Sequence, residues 1–184
     1  AALYQIAALA SSDETAERFY VQIHRIISRL LDVENLYIAL LSEDCLTLAF
    51  PYVQDEQEPN WSSRSPARGL TEYVLRTGQT QIVSRSRAAE LVATGEIELD
   101  AVGTLARLWM GVPLLAGERP IGVLAVQSYT DEHAYTAADA ELIGFVAPNW
   151  RATCNVGAKS MSETATNFCR PPGTRRLRCP ARRH

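Results

Sequence analysis

Residues 108–128 read LWMGVPLLAGERPIGVLAVQS, and this stretch decides the fold. Two apolar runs flank residues 117–120, GERP, whose composition is typical of a turn. Short apolar runs that are rich in β-branched side chains and bounded by turn residues indicate buried strands rather than helices. Gly111 and Gly122 leave room where a backbone or a ligand approaches closely. The stretch therefore predicts a buried β-hairpin, and it contains no catalytic motif.

Size and composition favour one globular domain with extensions. The chain has 184 residues, of which 47% are apolar and 21% charged, so it can bury a core. No apolar run approaches the roughly 18 residues that a membrane helix needs. The N-terminal AALYQIAALA lacks the basic start of a signal peptide. We therefore expect a cytoplasmic protein with reduced thiols and no membrane insertion.

Charge divides the chain into two parts. Residues 1–147 hold 10 basic and 20 acidic residues, whereas residues 148–184 hold 8 basic residues and a single acid, Glu163. Three of the four cysteines also lie in the second part. This shift predicts a domain over 1–147 followed by an irregular basic tail over 148–184.

Helical spacing dominates the first 32 residues. Leu3, Ile6 and Ala10 share a face of a short opening helix, and Ser11-x-x-Glu14 has the form of a capping box. A longer amphipathic helix is predicted over about 13–32. Its apolar face comprises Phe19, Ile23, Ile26, Ile27, Leu30 and Leu31.

A β-hairpin is expected next, with strands over Asn35–Leu41 and Leu46–Val53. Alternation in the second strand predicts one shared face. Its members are Leu46, Leu48, Phe50 and Tyr52. Pro51 cannot donate to a ladder, which indicates an edge strand or a bulge.

Short elements should connect this hairpin to the later one. A polar loop over 54–68 precedes a helix over 69–77 capped by Gly78, a strand over 81–83 and a helix over 86–93. After residues 108–128, Thr136-x-x-Asp139 begins a final helix. Two antiparallel hairpins separated by a helical crossover predict a mixed sheet with helices on its faces.

Several segments resemble a GAF domain. They are FYVQIHRIISRLLDVENLYIALL, LAFPYVQDE, GLTEYVLRTGQ, WMGVPLLAGERPIGVLAVQSY and YTAADAELIGFVA. The resemblance covers about residues 3–147 and is closest to GAF domains that precede bacterial diguanylate cyclase or histidine kinase output domains. It implies an α+β, GAF/PAS-like fold, with an antiparallel central sheet of five to six strands and helices packed on its faces.

The resemblance ends at Pro148, where the last helix of the family would continue. The tail is Arg-rich and Cys-rich and has no helical or strand period. We hypothesise that 148–184 is not native coding sequence, for example because of a frameshift. An in-frame native tail at the source locus would refute this.

The sequence gives little support for a catalytic site or a metal site. Cys45 and His24 are the candidate Cys/His pair, but the GAF-fold reductase for free methionine sulfoxide uses several cysteines, and residues 1–147 contain only Cys45. A zinc site from Cys154, Cys169, Cys179 and His184 would lack the close CxxC pairs of common structural sites. We therefore expect no enzyme activity, no metal and no cofactor.

Nucleic acid and two known GAF ligands are also disfavoured. The arginines at 170–183 would attract phosphate without specificity, and a solvated tail explains them better. The Asn-Lys signature of cyclic-nucleotide-binding GAF domains is absent around Gln127. Covalent bilin attachment needs a cysteine in the crossover, and 54–107 contains none.

A non-covalent small-ligand pocket remains. In the family, ligands lie between the sheet and the crossover, which by position selects Tyr37, Phe50, Tyr73, Trp109 and Gln127 as ligand-binding residues. The alternative, for each of the aromatics, is that it simply fills core.

The resemblance implies a sensory domain that relays ligand binding to an output domain absent from this chain. The relay would use a homodimer formed by flanking helices at 2–10 and 136–147. A ligand-free dimerisation module and the reductase are the alternatives.

Overall fold

The computed structural model describes residues 16–58, 61–98 and 103–144. The predicted helix at 3–10, the capping box at 11–14 and the tail at 148–184 lie outside the described residues. The elements in chain order are α1 (Ala16–Leu30), β1 (Asn35–Leu41), β2 (Leu48–Gln54), α2 (Leu70–Thr77), β3 (Gln81–Ser84), α3 (Arg85–Ala93), β4 (Leu108–Ala116), β5 (Arg119–Ser128) and α4 (Ala137–Gly144).

The five strands form one sheet in the order β2-β1-β5-β4-β3, and every neighbouring pair is antiparallel. The predicted α+β fold with an antiparallel sheet of five to six strands is confirmed. The mixed sheet is wrong, because the two hairpins join through β1 and β5, which run in opposite directions.

The β4–β5 hairpin occupies the middle of this sheet, as its sequence predicted. Most of its residues are buried, which explains the continuous apolar runs. The turn contains Gly117 in the left-handed conformation, with φ 69°. Gly122 lies against the carbonyl oxygen of Ala39 on β1, so the strands approach closely where the glycine has no side chain.

One face of the sheet is covered by α1 and α4, and we call it the helix face. Alternate strand residues point to it, because successive side chains in a strand alternate sides. Its buried core comprises Phe19, Tyr20, Ile23, Ile26, Ile27, Val33, Leu36, Ile38, Leu108, Met110, Val112, Leu114, Leu124, Val126, Tyr135, Ala140 and Ile143.

The opposite face carries the crossover helices α2 and α3, and we call it the crossover face. Its buried core comprises Tyr37, Ala39, Leu48, Leu70, Val74, Val83, Ala88, Leu91, Ile97, Trp109, Val123 and Ala125. Gly78 ends α2 with φ 65° and an N–H bond of 2.8 Å to the carbonyl of Val74, as predicted. Ser84 caps α3 by accepting the Arg87 N–H at 3.2 Å.

The prediction that four residues of β2 share one face is wrong. Leu46 is 68% exposed in the preceding turn, and Leu48 and Phe50 pack on the crossover face. Tyr52 lies on the helix face, where its hydroxyl is 2.7 Å from Nδ1 of His24. The register against β1 gains one residue between Ala49 and Tyr52, and this bulge reverses the alternation. Pro51 therefore lies in a bulge on an edge strand.

The predicted cap of the final helix is present. The Thr136 N–H donates to Oδ2 of Asp139 at 2.7 Å, and the Asp139 N–H donates to Oγ1 of Thr136 at 3.4 Å. Residues 145–147 of that predicted helix lie outside the described residues. None of the helices described is long and apolar enough to cross a membrane.

Candidate ligand cavity

A cavity of about 250 Å³ lies on the crossover face, between the sheet, α2 and the segments that flank β2 and β4. It lies at the end of the sheet where β5 finishes and β4 begins. Its lining residues are Tyr37, Phe50, Glu58, Trp61, Ser62, Arg64, Leu70, Thr71, Glu72, Gly103, Thr104, Leu105, Ala106, Trp109, Gln127 and Tyr129.

A chain of polar groups crosses the sheet at the floor of this cavity. Nε1 of Trp109 donates to the Tyr37 hydroxyl at 3.0 Å, and that hydroxyl lies 2.8 Å from Oγ1 of Thr71 on α2. Burial raises the pKa of Tyr37 to about 12, so the phenol is neutral over the physiological range. The Trp109 ring reaches Tyr37 by folding over Gly111, where a Cβ would lie 2.1 Å from the ring.

Three aromatic rings form one wall. The Trp61 ring centroid lies 4.5 Å from that of Tyr37 and 4.8 Å from that of Phe50. The Arg64 guanidinium lies 5.6 Å from the Phe50 centroid, within cation–π range. Nε1 of Trp61 is buried without a hydrogen-bond partner among the described residues.

A buried carboxylate fixes the N-terminus of α2 beside the cavity. Oε1 of Glu72 accepts from Arg64 at 2.5 Å and from the Ala67 N–H at 2.9 Å, and Oε2 accepts the Gly69 N–H at 3.2 Å. Burial acts to raise the pKa of Glu72, but these hydrogen bonds and the Arg64 charge outweigh it and lower that pKa. Glu72 is therefore ionised and already paired.

A second carboxylate, Asp55, lies behind the cavity wall. It is 8% exposed and accepts from Nε2 of Gln127 and, at 3.1 Å, from the Tyr129 hydroxyl. It also accepts the N–H groups of residues 57 and 58. Burial, followed by the charge of Asp55, raises the pKa of Tyr129. The cluster anchors the segment after β2 to the end of β5.

Four of the five predicted site residues line the cavity together: Tyr37, Phe50, Trp109 and Gln127. Tyr73 does not. On α2 the residues Leu70, Thr71, Glu72 and Val74 are buried, and Tyr73 points away from the cavity with its ring 5.2 Å from the Arg76 guanidinium carbon. Position in the segment suggested Tyr73, but the helical phase directs Thr71 into the cavity instead.

Sequence reasoning missed Trp61, Arg64, Thr71 and Glu72. Two of them lie in the polar loop 54–68, which has no periodicity to assign a side chain to a face. The available signal is a tryptophan in an otherwise polar loop. An isolated bridge between Leu48 and Arg64 ties this loop to the sheet, with N–H···O distances of 2.8 and 3.0 Å.

The candidate Cys/His pair is not assembled. Cys45 lies in the β1–β2 turn, where its Sγ is 3.9 Å from Nη2 of Arg119 at the start of β5. The cavity lies near Gln127, roughly 25 Å away along that strand. His24 is on α1, on the other face of the sheet. None of the cavity-lining residues is a cysteine.

A family model described as GAF domain matches residues 13–149. The fold is also similar to solved structures. A GAF domain from an Acinetobacter phosphoenolpyruvate-protein phosphotransferase is 15% identical with a TM-score of 0.68, over 88% of this chain and 96% of that one. A segment of a methyl-accepting chemotaxis protein, residues 122 to 287, is 16% identical with a TM-score of 0.62, over 85% and 96%.

An enzyme has a similar fold. The free methionine-R-sulfoxide reductase of Neisseria meningitidis, solved with its substrate, is 19% identical with a TM-score of 0.62, over 84% of this chain and 89% of that one. No curated protein sequence matches the chain. At these identities the structural similarity establishes the fold alone.

Proposed function

This chain belongs to the GAF domain family, and from that membership we propose that it is a non-catalytic sensory domain that binds a small ligand in the crossover-face cavity. GAF domains are in general regulatory modules, and the fold neighbours include signalling proteins. The observation that carries the proposal is the cavity of about 250 Å³, with its aromatic wall and the polar and charged side chains that make up much of the remaining lining. Tyr37, Phe50, Trp109 and Gln127, together with Trp61 and Arg64, are the proposed ligand contacts.

The cavity is joined to the end of the domain through β5. Gln127 has its side chain in the cavity lining, and its backbone carbonyl accepts from the Tyr135 hydroxyl at 3.3 Å. Tyr135 immediately precedes the cap of α4 at Thr136. A ligand that moved Gln127 would therefore act directly on the entry to the C-terminal helix.

Both terminal described helices, α1 and α4, pack on the helix face. Along the chain, the helix predicted at 2–10 comes before α1, and the helix predicted at 136–147 includes α4. We propose that they form the homodimer contact and transmit the ligand signal to an output domain, either a diguanylate cyclase or a histidine kinase. The complete open reading frame tests the second half of this proposal, since it must encode such a domain downstream.

Native mass spectrometry of the purified chain tests ligand binding. We expect a bound small molecule that is released on denaturation, and its loss in the cavity-filling variant Ala106→Phe, since Ala106 is buried in the lining. A chain that carries no small molecule and whose melting temperature responds to none in a metabolite panel would instead be the ligand-free dimerisation module.

Analytical ultracentrifugation tests the dimer. Wild type should sediment as a dimer, and Ile6→Glu, on the apolar face of the predicted first helix, should shift it to monomer. A wild-type chain that stays monomeric at high concentration contradicts the relay.

The reductase is the second candidate, because enzymes of that kind share the fold. Turnover of free methionine-R-sulfoxide, measured for wild type and Cys45→Ala, separates the two functions. We expect none in either protein, since Cys45 lies far from the cavity. Activity lost on Cys45→Ala would replace the sensory proposal.

A further inference from the structure

The floor of the cavity holds one hydrogen-bond donor more than it uses. The Trp109 N–H, the Tyr37 hydroxyl and the Thr71 hydroxyl provide three hydrogens, but they form only two hydrogen bonds among themselves. Because the indole N–H can only donate, the unused hydrogen is on one of the two hydroxyls. It has no acceptor among the described residues.

Two further donors at the cavity lack acceptors in the described part of the chain. Nε1 of Trp61 is buried and can only donate. Arg64 uses Nη1 for Glu72 and for the carbonyl of Ser65, whereas its Nε and Nη2 have no acceptor there. These unpaired donors, an indole N–H, a hydroxyl and one edge of a guanidinium, all belong to residues that line the cavity.

The carboxylate oxygens at the cavity are mostly occupied. Both oxygens of Glu72 and both oxygens of Asp55 already accept hydrogen bonds from the protein. Oε1 of Glu58 accepts the Thr104 N–H at 2.5 Å. Only Oε2 of Glu58 is open among these carboxylates, and it lies beside Gly103 at the cavity edge. A ligand that accepts hydrogen bonds suits this cavity, whereas a cationic donor finds one carboxylate oxygen.

The size and walls limit the rest of the ligand. An apolar cavity of about 150 Å³ holds a benzene molecule, so about 250 Å³ holds one ring with a substituent. The rings of Trp61, Tyr37 and Phe50 supply a wall for its face. We propose that the ligand is a single-ring aromatic carboxylate, whose ring packs on this wall and whose carboxylate accepts from Trp61 and Arg64. This inference rests on the proposed ligand-binding function.

Isothermal titration calorimetry on the full chain tests the ligand class with three probes of one shape: benzoate, benzamide and benzylamine. A hydrogen bond to a charged group contributes about 1.5–3 kcal/mol, so benzoate should bind at least about 10-fold more tightly than benzamide. Benzylamine should bind most weakly.

Substitutions then assign the contacts. Trp61→Phe keeps an aromatic ring but removes the N–H, and Arg64→Gln removes the charge. Each should weaken benzoate binding roughly 10-fold and abolish most of the preference over benzamide. Arg68→Gln is the matched control, because Arg68 lies in the same loop, is half exposed and is not in the lining.

Four results would overturn the inference. Benzylamine binding more tightly than benzoate would show that the cavity selects cations. Benzoate affinity unchanged in both Trp61→Phe and Arg64→Gln would place it elsewhere. A co-purified molecule that none of the probes displaces would leave the sensory function standing with a different ligand class, whereas no probe binding and no co-purified molecule would remove both.

Discussion

The two faces of the sheet share the same strands but bury different kinds of side chain. The helix face is an apolar core under α1 and α4. The crossover face carries the cavity, the Trp109–Tyr37–Thr71 chain and two carboxylates that are at least nine-tenths buried, Asp55 and Glu72. The crossover face also has an apolar core, but unlike the helix face it holds buried polar groups beside a cavity.

Strand β5 shows how this division is encoded. Leu124 and Val126 point to the helix face, whereas Ala125 and Gln127 point to the crossover face. One residue of register separates an apolar contact from a cavity residue. A substitution on β5 therefore alters the packing of one face directly, so the two faces can be tested separately by mutation.

The largest effect is expected on the helix face. Ile23→Ala removes a fully buried side chain of α1, and it should lower the free energy of unfolding by about 2–5 kcal/mol. Urea denaturation followed by circular dichroism measures it. Val21→Ala, on the same helix but 37% exposed, should change stability by less than about 0.5 kcal/mol. Equal losses from the two variants would mean that α1 is not packed as described.

Two glycines on the paired strands compare the faces directly. A Cβ at Gly122 would lie 2.4 Å from the Ala39 carbonyl oxygen, and backbone cannot yield; a Cβ at Gly111 would meet the Trp109 ring, which can move. Gly122→Ala should cost about 3 kcal/mol and Gly111→Ala about 1–2 kcal/mol. Only Gly111→Ala should alter tryptophan fluorescence. A fluorescence change confined to Gly122→Ala would contradict the assignment of the two faces.

Glu72→Gln tests how much a buried carboxylate of the crossover face contributes to stability. The pKa of Glu72 is lowered in the folded state, so its ionised form stabilises the fold above the ordinary value of 4.5, and this contribution is lost as pH falls below it. We expect Glu72→Gln to cost about 1–3 kcal/mol at pH 7. The difference in unfolding free energy between this variant and wild type, measured by urea denaturation, should narrow below pH 4.5.

The control for this prediction is Glu90→Gln, which removes an exposed ion pair with Arg87. An exposed pair contributes little, so a change of less than about 0.5 kcal/mol at every pH is expected. If the difference in unfolding free energy between wild type and Glu72→Gln stayed constant from pH 7 to pH 3, the charge of Glu72 would not contribute to stability.

Most of the helix face could be predicted from the sequence, although Leu30, which the helical spacing places on the apolar face of α1, is 41% exposed. The helical period of α1 and the apolar runs of β4 and β5 specify burial directly, and β1 has the predicted ends. Pro51 indicates an edge strand or a bulge, but the sequence does not indicate that the bulge turns Tyr52 to the helix face. A single inserted residue reverses every following side chain, and nothing in the alternation of LTLAFPYV indicates it.

The cavity could be predicted only in part. Tyr37, Phe50, Trp109 and Gln127 lie on strands, where the period of two assigns a face. Trp61 and Arg64 lie in an irregular loop, and Glu72 is oriented by N–H groups at a helix start, so tertiary contacts place all three. Tyr73 is outside the cavity lining, which the sequence does not indicate because an aromatic side chain in a short helix does not by itself reveal the helical phase.

The smallest effect on stability is expected at Cys45, which lies in the β1–β2 turn and belongs to neither core nor to the cavity lining. Cys45 has φ 60°, a left-handed conformation that costs a residue with a Cβ roughly 1–2 kcal/mol and glycine much less. Because glycine also loses more backbone entropy on folding, Cys45→Gly should raise the free energy of unfolding by no more than about 1 kcal/mol. Cys45→Ala keeps the Cβ and should stay within about 0.5 kcal/mol of wild type. Both variants should bind benzoate as wild type does, and a loss of binding in either one would mean that the turn and the cavity are coupled through β5.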